Sequence, residues 1–241
     1  MKYTIITIGN SREEYKRNIR QKITTVPEVF VECVDGRVPG VIEKYLADNP
    51  WLDIPSTCYL TRGEIGVWLS VINVLKQVDE TTITIEDDAV VHPEFSTKIF
   101  DVEFPEGMDF FSLFVPRDHD DWFYYKKELD GQGNILNPKA VHWEAGYFGY
   151  MTDNPAVVKP YQRYGGVSMV YTPKGAKRIL KLLERDGIID QYDNYLYQMA
   201  RLGELDGYTH HPKWPDLVWI KGGRSLTHES EIYEHNSTSS K

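Results

Sequence analysis

Residues 60–88, LTRGEIGVWLSVINVLKQVDETTITIEDD, decide the fold class. Thr61 followed three residues later by Glu64 is a capping box, so a helix starts there. Ile65, Trp68, Leu69, Ile72 and Leu75 recur at helical spacing and give that helix one apolar stripe. Thr82-Ile83-Thr84-Ile85 is short, uncharged and β-branched, as a central strand should be. It ends abruptly in Glu86-Asp87-Asp88. An amphipathic helix running into a buried strand is one unit of an α/β layer.

The flanking sequence extends the same layer. Upstream, Tyr3–Ile8 reads as a buried strand closed by Gly9-Asn10. Ser11 is placed to cap a helix with Glu13 and Glu14 in its first turn and Arg17 and Arg20 toward its end, an order that suits the helix dipole. Val29–Val34 reads as a second strand ending at Asp35-Gly36. Downstream, Asp109–Val115 and Val167–Tyr171 read as strands. Thr172-Pro173 opens a helix with Ala176, Ile179, Leu180 and Leu183 on its buried face, and Gly187 stops it. Asp190 is expected to cap a further helix running to Leu202. The stretch 116–165 is rich in aromatics, Gly and Pro and is expected to form long loops with a small hairpin near 129–135. Residues 236–241 (NSTSSK) are expected to form a disordered tail.

Composition narrows the function classes. The 241 residues carry 27 Lys plus Arg against 36 Asp plus Glu, a formal net charge of −9. That balance argues against a general nucleic-acid grip, which wants a basic face. Hydrophobic residues at 41% and charged residues at 26% are globular proportions. No apolar run reaches the ~20 residues a membrane-spanning helix needs. Cys33 and Cys58 have neither zinc-ribbon spacing nor the makings of a disulfide framework. The expectation is a single cytoplasmic domain over 1–230 with a polar tail at 231–241. No internal repeat or dividing linker is found.

The acidic triplet needs a reason. Side chains two apart on an extended segment point to one side, so Glu86 and Asp88 converge while Asp87 faces away. Carboxylates held close repel one another unless a proton or cation is supplied. A hard ion such as Mg²⁺ or Mn²⁺ removes that repulsion and keeps positions open for phosphate oxygens. A solvated turn after a strand is the plain alternative.

The order Leu60-Thr61-x-Gly63-Glu64-Ile65-Gly66-x-x-Leu69-Ser70, followed by an apolar strand ending Glu86-Asp87-Asp88, resembles glycosyltransferase family 25, the lipopolysaccharide-type and collagen galactosyltransferases. Asp35-Gly36, the segment Thr172–Lys177 and Ile188-Ile189-Asp190 resemble further family elements in the right order. The resemblance covers roughly 3–195, with a poorly matching stretch over 116–163. Where the family has His after the Ser of the helix motif, this chain has Val71.

The resemblance implies a GT-A fold, a Rossmann-like mixed sheet flanked by helices. It also implies a nucleotide-sugar donor, often a UDP-sugar, and inversion at the anomeric carbon. The triplet takes the place of the family's Asp-x-Asp motif. Asp88 and Glu86 are the expected ligands of Mn²⁺ or Mg²⁺, with His228 as a candidate third. Asp190 matches the position expected of the base that accepts the acceptor hydroxyl's proton, with Asp193 in reserve.

Arg12 and Arg17 offer diphosphate contacts or are solvated helix residues. Asp35 offers a nucleoside hydrogen bond or only forms its turn. Gly63, Glu64, Ser70 and Asp87 complete the expected donor-side set; Gly63 and Gly66 admit a nucleotide or another backbone. Trp122, Phe123, Tyr124, Tyr125, Trp143, Tyr147, Phe148 and Tyr150 suit either stacking on a sugar or packing. Tyr164-Gly165-Gly166 reads as an active-site loop or a plain turn, and Pro212 weakens a metal-ligand reading of His210-His211.

The implied acceptor is a lipooligosaccharide or other glycan. A hydroxylated protein side chain or DNA base stays open, as does peripheral association with a membrane. The rival classes are an inert nucleotide- or sugar-binding module and a metal-dependent phosphohydrolase.

Overall fold

The computed structural model describes residues 1–7, 13–114, 140–142, 148–162, 165–210 and 217–220; of these, 140–142, 148, 161, 162 and 220 are described by backbone alone. The chain begins with β1 (Lys2–Ile6), then α1 (Glu13–Lys22), α2 (Val41–Asp48) and α3 (Arg62–Leu75). β2 (Thr82–Glu86), β3 (Ala89–Val91) and the short α4 (Phe95–Lys98) follow. Next come β4 (Phe110–Ser112), β5 (Ala140–His142), β6 (Phe148–Met151), β7 (Val157–Gln162) and β8 (Ser168–Tyr171). The chain continues through α5 (Pro173–Asp186), α6 (Tyr192–Arg201), β9 (Gly207–His210) and β10 (Val218–Ile220).

Among the described residues eight strands form one mixed sheet in the order β1-β2-β8-β4-β9-β7-β6-β5, and β10 pairs with β3 separately. β1 and β2 are parallel and in register from Lys2↔Thr82 to Ile6↔Glu86. β8 runs antiparallel to both β2 and β4, and β4 is parallel to β9. The class is therefore mixed α/β.

Strand alternation sorts the side chains into two cores. Phe110, Met169 and Tyr171 pack with α3, α5 and α6 on one face. Tyr3, Ile5, Ile83, Ile85, Phe111 and Val170 pack with α1, α4 and β10 on the other. The expected α3 stripe is buried in full, Ile65 at 8% exposure and the other four at 2% or less. Its capping box is formed from both sides, Thr61 Oγ1 accepting from the Glu64 amide and Glu64 Oε2 from the Thr61 amide. α5 starts behind Thr172, whose hydroxyl accepts from the Gly175 amide, and ends at Gly187.

Several expectations are corrected. The stretch 29–34 is not a strand; it lies along β1 through one bridge, Tyr3↔Glu28, and two backbone bonds at Pro27 and Val29. Asp190 is not the cap of α6: Gln191 occupies that position and makes no side-chain cap bond. The stretch taken as loops contains β5, β6 and β7, an antiparallel run that extends the sheet past β9. α2 is an unforeseen helix, entered through Gly40 at φ 81°. The expected Gly9-Asn10 turn, Ser11 cap, 129–135 hairpin and C-terminal tail lie outside the described residues. No helix among the described residues is long and apolar enough to cross a membrane. Both cysteines are free thiols.

Candidate functional site

β1 and β2 end side by side, so Thr7 and the acidic triplet occupy the carboxyl edge of the sheet, where open α/β sheets bind ligands. The backbone there is fixed: the Asp87 amide donates to Ile6 O at 3.0 Å and the Glu86 amide to Val167 O at 2.8 Å. Asp87 is buried, and its Oδ2 accepts from the Thr7 hydroxyl at 2.5 Å. Glu86 turns instead to α6, where Tyr192 OH lies 3.1 Å from its Oε1. Glu86 and Asp87 thus leave the end of the strand toward different partners.

Burial first, and then the charge of Asp88, pushes the Glu86 carboxyl up to about 8. Asp193 and Asp87 add to the push, while the Tyr192 hydroxyl opposes it. Beside burial, the groups that act on this carboxyl are one hydroxyl and three carboxylates. Tyr192 also donates to Gly166 O. A hydroxyl carries one proton, so it can serve only one of these two acceptors at a time. When Gly166 O takes it, Glu86 needs a proton of its own or a cation. A Cβ on Gly166 would fall 1.8 Å from the Tyr192 hydroxyl oxygen, so glycine is required for this approach.

The two proposed bases differ in setting. Asp193 is 8% exposed, its Oδ2 accepts the Gly165 amide at 2.5 Å, and burial raises its pKa. Asp190 is partly buried. Its Oδ1 accepts from Tyr59 OH and from the Gln191 amide, both at 2.7 Å. Its carbonyl accepts from Trp68 Nε1 at 2.6 Å. Glu64 Oε1 accepts from Gln191 Nε2 at 2.5 Å. These bonds bring the start of α3, the start of α6 and the end of β2 into one corner. Helix N-termini favour anions.

Other expected residues stand apart from this corner or serve the scaffold. Ser70 is fully buried; its hydroxyl accepts from the Val34 amide and donates to Gly66 O, both at 2.8 Å. A Cβ on Gly66 would fall 2.5 Å from Gly36 N and 2.7 Å from Val34 O, so backbone contact with the 34–36 turn explains that glycine. Gly63 is buried in the first turn of the same helix. Asp35 clamps Arg37 at 2.8 Å, and that guanidinium holds its carboxyl below the usual range. Arg17 is exposed on α1. His210 is buried against the Phe111 ring, 5.0 Å between centroids. Of the aromatics named above, Tyr150 is 36% exposed and Phe148 is described by its backbone alone; the others, with Tyr164, Arg12, His211 and His228, lie outside the described residues.

Among the described residues, no group of three or more His, Cys, Asp or Glu is arranged to hold a metal ion. The all-oxygen donors Glu86 and Asp88, surrounded by further carboxylates, nevertheless have the chemistry a hard divalent ion requires. A cavity of about 360 Å³ opens elsewhere, among Val102, Asn154, Val157, His210 and Leu217, and none of the expected site residues lines it.

Tyr192, Gln191, Tyr59 and Thr7 were not singled out by the sequence. The first two flank Asp190 and Asp193, and that adjacency was the available signal. No family model matches the chain, and no curated protein matches it.

Proposed function

We propose that this protein is a metal-dependent, inverting glycosyltransferase of GT-A type. It moves a sugar from a nucleotide-sugar, a UDP-sugar by resemblance, to the hydroxyl of an acceptor, with a glycan as the default. The observation that carries this reading is the gathering of Glu86, Asp87 and Asp88 at the paired ends of β1 and β2, with Asp193 in the first turn of the adjoining α6 and Asp190 just ahead of its cap. The mixed α/β sheet is compatible with it.

Asp88 and Glu86 would hold Mn²⁺ or Mg²⁺, which when bound supplies Lewis-acid stabilisation of the departing diphosphate. Tyr192 sets the orientation of Glu86, and Thr7 that of Asp87. Asp190 accepts the proton of the attacking hydroxyl. Its partial exposure suits that role better than the burial of Asp193, which anchors the Gly165 amide.

Asp88→Asn is expected to abolish transfer, assayed over a panel of nucleotide-sugars with Mn²⁺, while the melting temperature holds. Asp190→Asn is expected to lower kcat by about 10²–10⁴, the usual contribution of a general base. Full turnover by Asp88→Asn, or no binding of any nucleotide-sugar by the unmutated protein, overturns the proposal.

A further inference from the structure

Tyr59 lies outside the machinery assigned so far, and its setting is unusual. The residue is 72% exposed, yet its hydroxyl is tied to Asp190 Oδ1 at 2.7 Å. Exposed tyrosines normally leave that group to water; here the tie fixes the ring beside the proposed base. The loop carrying it is held at several points. The Ile188 amide donates to Asp53 O and the Cys58 amide to Pro55 O, each at 2.8 Å, and Thr61 begins the capping box two residues on. The ring is thus positioned before any ligand arrives, which lowers the entropy lost on binding.

The polar groups around the same carboxylate extend the pattern. Asn194 Nδ2 reaches to 3.5 Å of both Asp190 Oδ1 and Gln191 Oε1. Asn194 Oδ1 is buried and has no hydrogen-bond partner among the described residues. A flat apolar face beside a carboxylate and side-chain amides matches the two halves of a pyranose: C–H bonds on one face of the ring, hydroxyl groups at its edge. A nucleic-acid acceptor fits poorly. Its phosphodiesters would meet Asp190 and Glu64, both close enough to act on the Tyr59 hydroxyl, on a chain of net charge −9.

We infer that Tyr59, with Asp190 and Asn194, forms the acceptor subsite and that its occupant is an uncharged pyranose. The ring of Tyr59 stacks on the sugar, and its hydroxyl holds Asp190 toward the reacting group. This rests on the glycosyltransferase reading for the role of Asp190, but the binding claim is testable without turnover.

The test is saturation-transfer NMR on the full chain, without donor, using methyl β-D-galactopyranoside and methyl β-D-glucopyranoside as probes. A 12-nucleotide single-stranded DNA serves as the competing ligand. Binding of at least one pyranoside is expected. Tyr59→Phe should keep the affinity within about twofold, because the ring remains, and Tyr59→Ala should weaken it about tenfold or more. The melting temperature of both variants should match the parent, since the side chain is exposed. Unchanged affinity in Tyr59→Ala, no binding of either pyranoside, or preference for the DNA overturns the inference. Calorimetry with UDP and Mn²⁺, run in parallel, separates the two claims. Donor binding without pyranoside binding removes only the subsite. Pyranoside binding lost in Tyr59→Ala, without any nucleotide binding, removes the transferase reading and leaves the subsite.

Discussion

Tyr192 shows how a side chain can serve the fold and the site at once. Its ring packs edge-on against Trp68, 6.0 Å between centroids, while its hydroxyl meets Glu86 and Gly166 O. Tyr192→Phe keeps the ring and removes the hydroxyl. It should destabilise the protein by about 1–3 kcal/mol, because a buried carbonyl loses its donor, and should weaken Mn²⁺ binding because Glu86 loses its orienting contact. Urea unfolding and metal titration check both parts. Equal stability and equal metal affinity would refute this account of Tyr192. Little of this was readable beforehand. The triplet announced itself by breaking an uncharged strand, but the tyrosines of the segment YDNYLYQM look like helix core until their hydroxyls are placed.

Elements with local signals were the legible ones. α3 carries its cap, its stripe and its boundary within one short stretch, and α5 does the same through Thr172, Pro173 and Gly187. α2 has no such marks: Gly40 leads it, with no side-chain cap. β5, β6 and β7 are defined by pairings with one another and with β9, which no local pattern encodes, and β7 contains Pro160. Conversely, the β-branched residues over 29–34 suggested a strand, but the bridge to β1 is at Glu28, just ahead of them, and no ladder continues into them.

The link between α2 and α3 gives a pH test at this scale. Arg62 holds Glu43 with its guanidinium at 2.9 Å and lowers that carboxyl from 4.5 to about 2. A depressed folded-state pKa means that the pair's stabilisation is present above 4.5 and disappears as pH falls through about 2. Glu43→Gln should therefore melt slightly lower than the parent at pH 6, with the gap closing as pH falls toward 2. Both side chains face solvent, so the gap should also shrink in 1 M salt. A gap that widens in acid would contradict the assignment.

At the scale of the whole molecule, the ion cluster around Asp109 joins distant parts of the chain. Asp109 is fully buried; Arg178 on α5 reaches its Oδ2 at 2.5 Å and Asp206 at 3.2 Å. The Asp206 amide donates to the same Asp109 oxygen at 2.8 Å. Without Arg178 the buried carboxylate keeps only the Asp206 amide and the longer contact to Lys174, 3.5 Å from its Oδ1, so Arg178→Met should cost about 1–3 kcal/mol in chemical unfolding. Arg178→Met combined with Asp109→Asn should recover part of that loss. A near-neutral single variant would show that the cluster is spectator surface. The ions themselves were plain in the sequence, but their meeting was not, since Asp109 and Asp206 stand 97 positions apart.

The placement of β9 has a consequence for biosynthesis. This strand lies between β4 and β7, in the interior of the sheet, yet it follows almost every other strand in the chain. While the ribosome is still adding residues before 207, β4 has only β8 at its side, and β7 has only β6. Two half-sheets with raw, hydrogen-bond-hungry margins must then wait for one late insertion. Nascent chains in that interval are the ones most exposed to mispairing with their neighbours and most dependent on chaperone shelter.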